Sequence, residues 1–269
     1  MAILKKDKEE FKESSKKYKE KISEIDKEKK MLQSMLKKNA ELDPYIKIKI
    51  AVLGIQKASI NAEISILSQV IQNIRGDDYI SNARKEIYGI LMDFLAEKDI
   101  DFDSGFTDNQ EFLQKISEMN PLQRYHFLKA LYEITNKIYE LELNGKYRWS
   151  FPEIYQKLSL VIFKFLDFKL YERAKNPDVP YHDAIHSHME LLIDVLQKSA
   201  FEYRSKYELV AQDLDSLQNL RKILELLKKI YNFIGDKAEE QRTGYALEST
   251  IEKIESILQK DKKTKEKKK

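Results

Sequence analysis

The fold is decided by the pattern of residues 4–32, which read LKKDKEEFKESSKKYKEKISEIDKEKKML. One line of apolar side chains recurs every seven residues, and almost every residue between its members is Lys, Glu, Asp or Ser. A seven-residue period keeps side chains on one side of an α-helix, so the pattern predicts a helix with a narrow apolar seam, as in a coiled coil. Such a helix buries too little to be stable alone and needs a second helix, in this chain or in a neighbouring one. The seam consists of Leu4, Phe11, Tyr18, Ile25 and Leu32.

A second sevenfold line begins at Met189 and runs through the C-terminal third of the chain. No Gly or Pro occurs between residues 181 and 234, so the line predicts one long helix, about 80 Å if it is unbroken. The apolar companions of the line change their spacing after Leu214, which leaves a kink or a split as the alternative. We predict that part of this line joins the first seam as a contact surface, namely Tyr203, Val210, Leu217, Leu224 and Tyr231.

The composition predicts an all-α protein. Seven Gly and five Pro in 269 residues are few turn-forming residues, and 42% hydrophobic residues supply a core despite 35% charged ones. The architecture expected is an elongated helical bundle with an N-terminal coiled-coil arm and a long C-terminal helix. Its predicted divisions are a basic arm at 1–42, a bundle core at 43–180, the long helix and a last helix at 181–259, and a disordered Lys-rich tail at 260–269.

Two segments of the bundle core carry distinctive side chains. Residues 45–75 are apolar around much of the helix and include a line of small residues at helical spacing, which predicts a central helix with close neighbours: Ala51, Gly54, Ala58 and Ala62. The predicted helix 151–174 is rich in Phe and Tyr. Burial in the core is the simpler interpretation of these aromatic residues, and an exposed dock for a partner is the alternative.

The charge is distributed unevenly along the chain. The net charge is +3, but residues 1–40 carry +5, the tail 260–269 carries +5, and the remainder is acidic. Basic ends can contact phosphates or anionic lipid, so nucleic-acid or membrane binding through the Lys-rich termini is an alternative function. Of the 48 basic residues 40 are Lys and eight are Arg, and this scarcity of Arg argues against nucleic acid.

The absence of Cys excludes disulfides, thiolate metal sites and a Cys nucleophile. The N-terminus has no apolar signal core, and the apolar stretch 158–171 is too short and too charged to cross a bilayer. The sequence therefore predicts a cytoplasmic protein without a transmembrane segment and without a cofactor.

Three of the four histidines lie in the stretch 180–197, which reads PYHDAIHSHMELLIDVLQ. His182 and His186 are four residues apart and share one helical face with Glu190, a spacing that suits a divalent transition metal, whereas His188 is expected in solvent. The stretch resembles a segment of the HD-type cyclic-nucleotide phosphodiesterases, an all-helical family. The resemblance implies that His182 is a general acid and His186 a metal ligand. The family's later His-Asp pair has no counterpart, because no histidine follows His188.

The sequence as a whole favours a non-catalytic scaffold or adaptor that mediates protein–protein interaction within a larger assembly. It contains no phosphate-binding Gly-rich loop and no Ser nucleophile motif. The expected partner is a protein of unknown identity, and the two seams also fit a homo-oligomer. A metal-binding protein that uses His182 and His186 is the alternative.

Overall fold

A computed structural model describes residues 5–36, 43–96 and 100–266, with the backbone alone at Asp43, Ala211 and 261–266. Within these ranges the chain forms ten α-helices and no β-strand. The all-α prediction is thereby confirmed. The chain divides into two compact units, of which unit 1 comprises 1–97 and 110–148, and unit 2 comprises 98–109 and 149–269.

Unit 1 contains the first five helices. They are α1 (Lys5–Leu36), α2 (Asp43–Gln72), α3 (Asp77–Leu95), α4 (Gln110–Lys115) and α5 (Pro121–Glu142). Sequence signals explain where the last of them begins: Asn120 caps α5 by accepting a hydrogen bond from the N–H of Gln123, and Pro121 occupies the first turn.

Helix α2 is the centre of unit 1 and packs against α1, α3 and α5. Its small residues make this close packing feasible, since Ala58 and Ala62 are fully buried. A Cβ added at Gly54 would lie 2.9 Å from the Cδ1 of Ile90 on α3, which is closer than carbon atoms pack. The prediction that residues 45–75 form a central helix with close neighbours is confirmed.

The apolar seam of α1 packs inside unit 1, and it is fully buried only at its C-terminal end. Ile25 and Leu32 are buried, and Leu32 packs with Ile46 of α2. Phe11 is half-buried, with its ring 6.3 Å from that of Tyr79 on α3. Tyr18 is 36% exposed. Leu4 lies outside the described residues.

Four charged side chains form a polar layer that joins α1, α2 and α3. Lys57 Nζ of α2 lies 2.6 Å from Asp26 Oδ1 of α1 and 2.8 Å from Glu86 Oε1 of α3. Lys29 Nζ of α1 donates to the other oxygen of Glu86 at 2.6 Å. Burial alone would lower the pKa of Lys57, but the hydrogen bonds to Asp26 and Glu86 outweigh it and raise the pKa. The layer therefore fixes the register of α1 by specific ion pairs.

Unit 2 contains the other five helices. They are α6 (Phe151–Phe165), α7 (Phe168–Arg173), α8 (His182–Lys206), α9 (Leu214–Ile234) and α10 (Lys237–Glu266). The predicted helix 151–174 is thus two helices, because Leu166 is extended and Asp167 caps α7 by accepting from the N–H of Leu170. Helix α10 continues to Glu266, into the segment that the sequence predicted to be disordered.

The core of unit 2 is aromatic. Helix α6 is buried along most of its length, which confirms that its Phe and Tyr residues belong to the core. The loop before α4 is held to this core by Phe106, whose ring lies 4.6 Å from that of Phe168 and 4.7 Å from that of Phe233. Asn109 Nδ2 donates to the carbonyl oxygens of Phe163, Lys164 and Leu166 at 3.1, 3.2 and 2.6 Å, and so satisfies the C-terminal end of α6.

Candidate interaction surface

The long helix predicted for 181–234 is interrupted between α8 and α9. Residues Tyr207–Ala211 form a wider π-helical turn, in which the N–H of Gln212 donates to the carbonyl oxygen of Tyr207 at 3.1 Å. Gln212 has a left-handed backbone (φ 44°). Asp213 then starts α9 by accepting a hydrogen bond from the N–H of Ser216 at 2.7 Å. Burial opposes ionisation of Asp213, but the bonds from Ser216 outweigh it and lower the pKa of this carboxyl. π-Helical turns of this kind are frequent at functional sites.

A cleft of about 330 Å³ opens beside this turn, between α8, α9 and α10. Each helix contributes one stripe of side chains at helical spacing. The floor is apolar and is formed by the α9 residues Leu217, Leu220 and Leu224, all of which are buried. The walls include small side chains from α8 and α10, which leave the space open: Ala200, Ala246, Ser249 and Thr250.

The polar side chains of the cleft are held by near neighbours. Arg204 Nε donates to Glu208 Oε1 at 2.9 Å, one helical turn away. This bond from Arg204 is the main reason that the pKa of the Glu208 carboxyl is lowered, so Glu208 is ionised at neutral pH. Lys253 Nζ lies 5.3 Å from the centre of the Tyr207 ring, a cation–π distance. The rim of the cleft therefore carries both signs of charge.

Two large aromatic side chains at the cleft are exposed to solvent. Phe201, which lines the cleft, is 65% exposed, and Tyr245, one helical turn before the cleft residue Ser249, is 62% exposed. We call Phe201 and Tyr245 the collar. Leu209 and Val210 of the π-helical turn are also exposed, at 75% and 52%, but they do not line the cleft. An apolar cleft with an apolar collar is typical of an interaction surface.

The structure separates the residues that the sequence predicted as a second contact surface. Leu217 and Leu224 lie in the floor of the cleft, and Val210 is exposed on the π-helical turn, outside the lining of the cleft. Tyr203 and Tyr231 are buried elsewhere in unit 2: the Tyr203 hydroxyl donates to Gln156 Oε1 at 2.6 Å, and the Tyr231 hydroxyl accepts from Gln197 Nε2 at 2.7 Å. Burial raises the pKa of both phenols. These two side chains therefore hold unit 2 together.

The sequence interpretation missed Phe201 and Leu209. Both lie off the sevenfold line, at positions that the heptad phase assigns to solvent. The sequence indicates each of them only as a large apolar residue at a position expected to face solvent. Single exposed apolar residues are common on protein surfaces and often have no function. The significance of Phe201 comes from the cleft that it lines, and the cleft depends on the packing of three helices.

The histidines of α8 are engaged with neighbouring groups. The rings of His182 and His186 have their centres 4.4 Å apart, and His186 Nε2 lies 2.9 Å from the carbonyl oxygen of Ala174. A carbonyl can only accept, so this nitrogen carries a proton and its lone pair is not available to a metal. No three His, Cys, Asp or Glu side chains are grouped for metal binding within residues 5–36, 43–96 and 100–266.

The solvent position predicted for His188 is wrong. His188 is buried, and its Nε2 lies 3.1 Å from the carbonyl oxygen of Ile162 on α6. Helix α8 is therefore covered on a wider face than the narrow sevenfold line indicated, since α6 packs along it in unit 2.

One helix among the described residues, Pro44–Gln72, is long and apolar enough to cross a membrane by length and composition. This is α2, the central helix of unit 1, and burial against three other helices accounts for its apolar character. The same test is passed by core helices of proteins that never enter a membrane, so the finding is weak evidence for a span.

Comparison with known sequences gives a family but no activity. No curated protein matches this chain. A sequence model of the TP0443 family matches residues 7–258, which include α2 to α9, most of α1 and α10, and the whole cleft. The chain therefore belongs to the TP0443 family.

Proposed function

We propose that the chain is a non-catalytic α-helical scaffold or adaptor, which binds another polypeptide through the cleft between α8, α9 and α10. The observation that carries the proposal is the conjunction of the apolar cleft with the exposed collar. Contiguous exposed apolar surface is disfavoured on a protein that has no partner there, because it promotes nonspecific association.

The collar offers enough apolar area to support binding. An aromatic side chain presents roughly 200 Å², so Phe201 at 65% and Tyr245 at 62% exposure together present about 250 Å². At ~25 cal/mol/Å² the burial of this area contributes about 6 kcal/mol before the cost of association. A partner side chain in the cleft would contact Leu217, Leu220 and Leu224, which add little further area because they are already buried.

The polar groups of the cleft are consistent with a recognition surface. The Thr250 hydroxyl donates to the carbonyl oxygen of Ala246 at 2.8 Å, and Arg204 donates to Glu208. A partner would therefore meet groups whose hydrogen bonds are largely made, and apolar contact would supply most of its affinity.

Site-specific photo-crosslinking tests the proposal. A benzophenone amino acid is introduced in place of Phe201, and in a control in place of Val70 of α2, which is 74% exposed in unit 1. We expect a discrete crosslinked product, in the cell that makes the protein, from position 201 and not from position 70. The proposal is abandoned if position 201 yields no discrete product, or if both positions yield the same ones.

A further inference from the structure

We propose that the cleft binds a short amphipathic helix of another polypeptide, which lays apolar side chains on the floor and directs an acidic side chain to Lys253 at one end. This inference rests on the proposed function and gives the chemistry of the partner. It follows from the directions of the three helices, from the length of the cleft and from the position of its charges.

The helices α8 and α10 run in the same direction, with α9 antiparallel to both. Helix α9 follows α8 after the π-helical turn, and Gln197 Nε2 of α8 donates to the hydroxyl of Tyr231, near the far end of α9, at 2.7 Å. Helix α10 reverses direction again after Gly235 and packs along α9. Helices α8 and α10 therefore form two parallel walls of the cleft, and α9 forms its floor.

The cleft has an apolar end and a charged end. The walls begin with small side chains, which are Ala200 on α8 and Ala246 on α10. Seven residues further along each wall are Tyr207 and Lys253, and Lys253 Nζ lies 5.3 Å from the centre of the Tyr207 ring. Because the walls are parallel, the two alanines lie at one end of the cleft and the Tyr207–Lys253 contact lies at the other.

The dimensions of the cleft suit about two turns of a helix. Seven residues of each wall span roughly 10 Å, and about two turns of a partner helix cover the same length. The small residues Ala246 and Ser249 allow a second backbone to approach the wall closely. The partner would lay two or three apolar side chains on the leucines of the floor, while Phe201 and Tyr245 cover it from α8 and α10.

The charges at the cleft are unequal and favour an acidic partner. Among the described residues that line it, Arg204 and Lys253 are cations and Glu208 alone is an anion. The bond from Arg204 and, less strongly, the charge of Lys253 lower the pKa of Glu208, so both cations lie beside this one carboxylate. One positive charge is therefore in excess, and it attracts a carboxylate and repels a basic side chain.

Lys253 is the cation that a partner can reach. Its side chain is exposed, and its neighbours on α10 at three and four residues are Ser249, Thr250, Ser256 and Ile257, none of which is acidic. An exposed ion pair adds little affinity, so the acidic side chain sets the orientation of the partner helix and its discrimination from basic helices.

Peptide selection by phage display tests the inference, with the purified full chain as the target. The probe is a random library of peptides of about 14 residues, from which those that also bind Phe201→Glu are removed. The retained peptides should share apolar residues at spacings of three and four and should carry Asp or Glu more often than Lys or Arg. Retained peptides without an acidic excess overturn the inference, and so does a selection that retains none.

Charge reversal at Lys253 tests the contact itself. The affinity of a retained acidic peptide, measured by fluorescence anisotropy, should fall roughly three- to tenfold in Lys253→Glu, because an attraction at an exposed site becomes a repulsion. The matched control is Lys129→Glu on α5, which changes another lysine beside a tyrosine ring, 5.7 Å from the centre of Tyr132, and should leave the affinity unchanged. The same peptide with Lys in place of its acidic residues should bind Lys253→Glu more tightly than wild type. Equal affinity of wild type and Lys253→Glu for the acidic peptide, or an equal loss in Lys129→Glu, contradicts the proposed contact.

Failure of this inference and failure of the proposed function give different results. If the retained peptides lack an acidic excess, the charge of the partner is wrong and the adaptor function stands. If no peptide depends on Phe201 while position 201 crosslinks to a protein in the cell, the helical partner is wrong and the adaptor function stands. If neither experiment gives a product, both are wrong.

Discussion

The polar layer of unit 1 gives a sharp prediction, in which Glu86→Gln loosens α1 from the unit. Glu86 accepts from Lys57 and Lys29, and the three side chains are only 15–18% exposed. A hydrogen bond to a charged group contributes about 1.5–3 kcal/mol, and loss of one partner from a fully buried pair costs about 3–5 kcal/mol. Because some water reaches the layer, and Asp26 still pairs with Lys57, we expect a loss of about 2–3 kcal/mol.

Amide hydrogen exchange of α1, measured by mass spectrometry, reports this loss where it occurs. A change of 2–3 kcal/mol corresponds to a decrease in protection of roughly 30- to 150-fold for the amides of α1, since ~1.4 kcal/mol is a factor of ten. The matched control is Glu63→Gln, which removes the same charge from a pair with Lys137 whose side chains are 41% and 37% exposed. The control should change protection by less than about fivefold, as exposed pairs do. Equal effects of the two substitutions, or unchanged exchange of α1 in Glu86→Gln, would refute the reasoning.

Three further predictions concern pH and unit 2. The pKa of Lys57 is raised above its ordinary value of 10.5, so the contribution of the polar layer to stability is complete below pH 10.5. This contribution is lost as the pH rises through the folded-state pKa of Lys57, and the difference in Tm between wild type and Glu86→Gln should narrow over the same rise in pH. Asn109→Ala removes a donor from the carbonyl oxygens of Lys164 and Leu166, whereas that of Phe163 keeps its bond from the N–H of Leu166. The substitution should destabilise unit 2 by about 1–3 kcal/mol in urea, followed by Trp149 fluorescence, whereas Asn144→Ala at an exposed site should change stability by less than about 0.5 kcal/mol. Asp213→Ala removes a helix cap and should lower the free energy of unfolding by about 1 kcal/mol at pH 7. Because the pKa of Asp213 is lowered, the stability advantage of Asp over Ala should persist down to pH 3.8, the ordinary pKa, and disappear as the pH falls through the folded-state pKa.

Local signals in the sequence mark the beginning of α5 and the end of α9. Pro121 follows the capping residue Asn120, and Gly235 follows the last residue of α9 with the positive φ of a helix C-cap. Such signals depend on one or two residues and on backbone geometry alone, so they can be read without knowledge of the fold. The split after Phe165 was missed because Leu166 and Phe168 continue the apolar run, which concealed the capping residue Asp167.

The candidate site was only partly predictable. The sevenfold line identified Leu217 and Leu224, because apolar side chains on one buried helical face recur every seven residues. The line does not indicate which part of that face borders a cleft. Accessibility there depends on Ala246 and Ser249, two small residues of α10 whose effect appears only when that helix packs beside α9. Phe201 was missed for the same reason, because its role as a candidate contact residue depends on neighbouring side chains that are distant in sequence.

The two seams differ in what their flanking charges do, and this difference explains which of them remains available to a partner. Beside the seam of α1, Asp26 and Lys29 reach across to Lys57 and Glu86 on other helices, so the charges commit α1 to one register within unit 1. Beside the cleft, Arg204 bonds to Glu208 on its own stretch of helix, so the charge is satisfied without closing the apolar surface. At the π-helical turn, Val210 of the sevenfold line is 52% exposed to solvent. The proposed binding cleft therefore lies where the heptad pattern breaks, because an unbroken seam would already be covered inside unit 2.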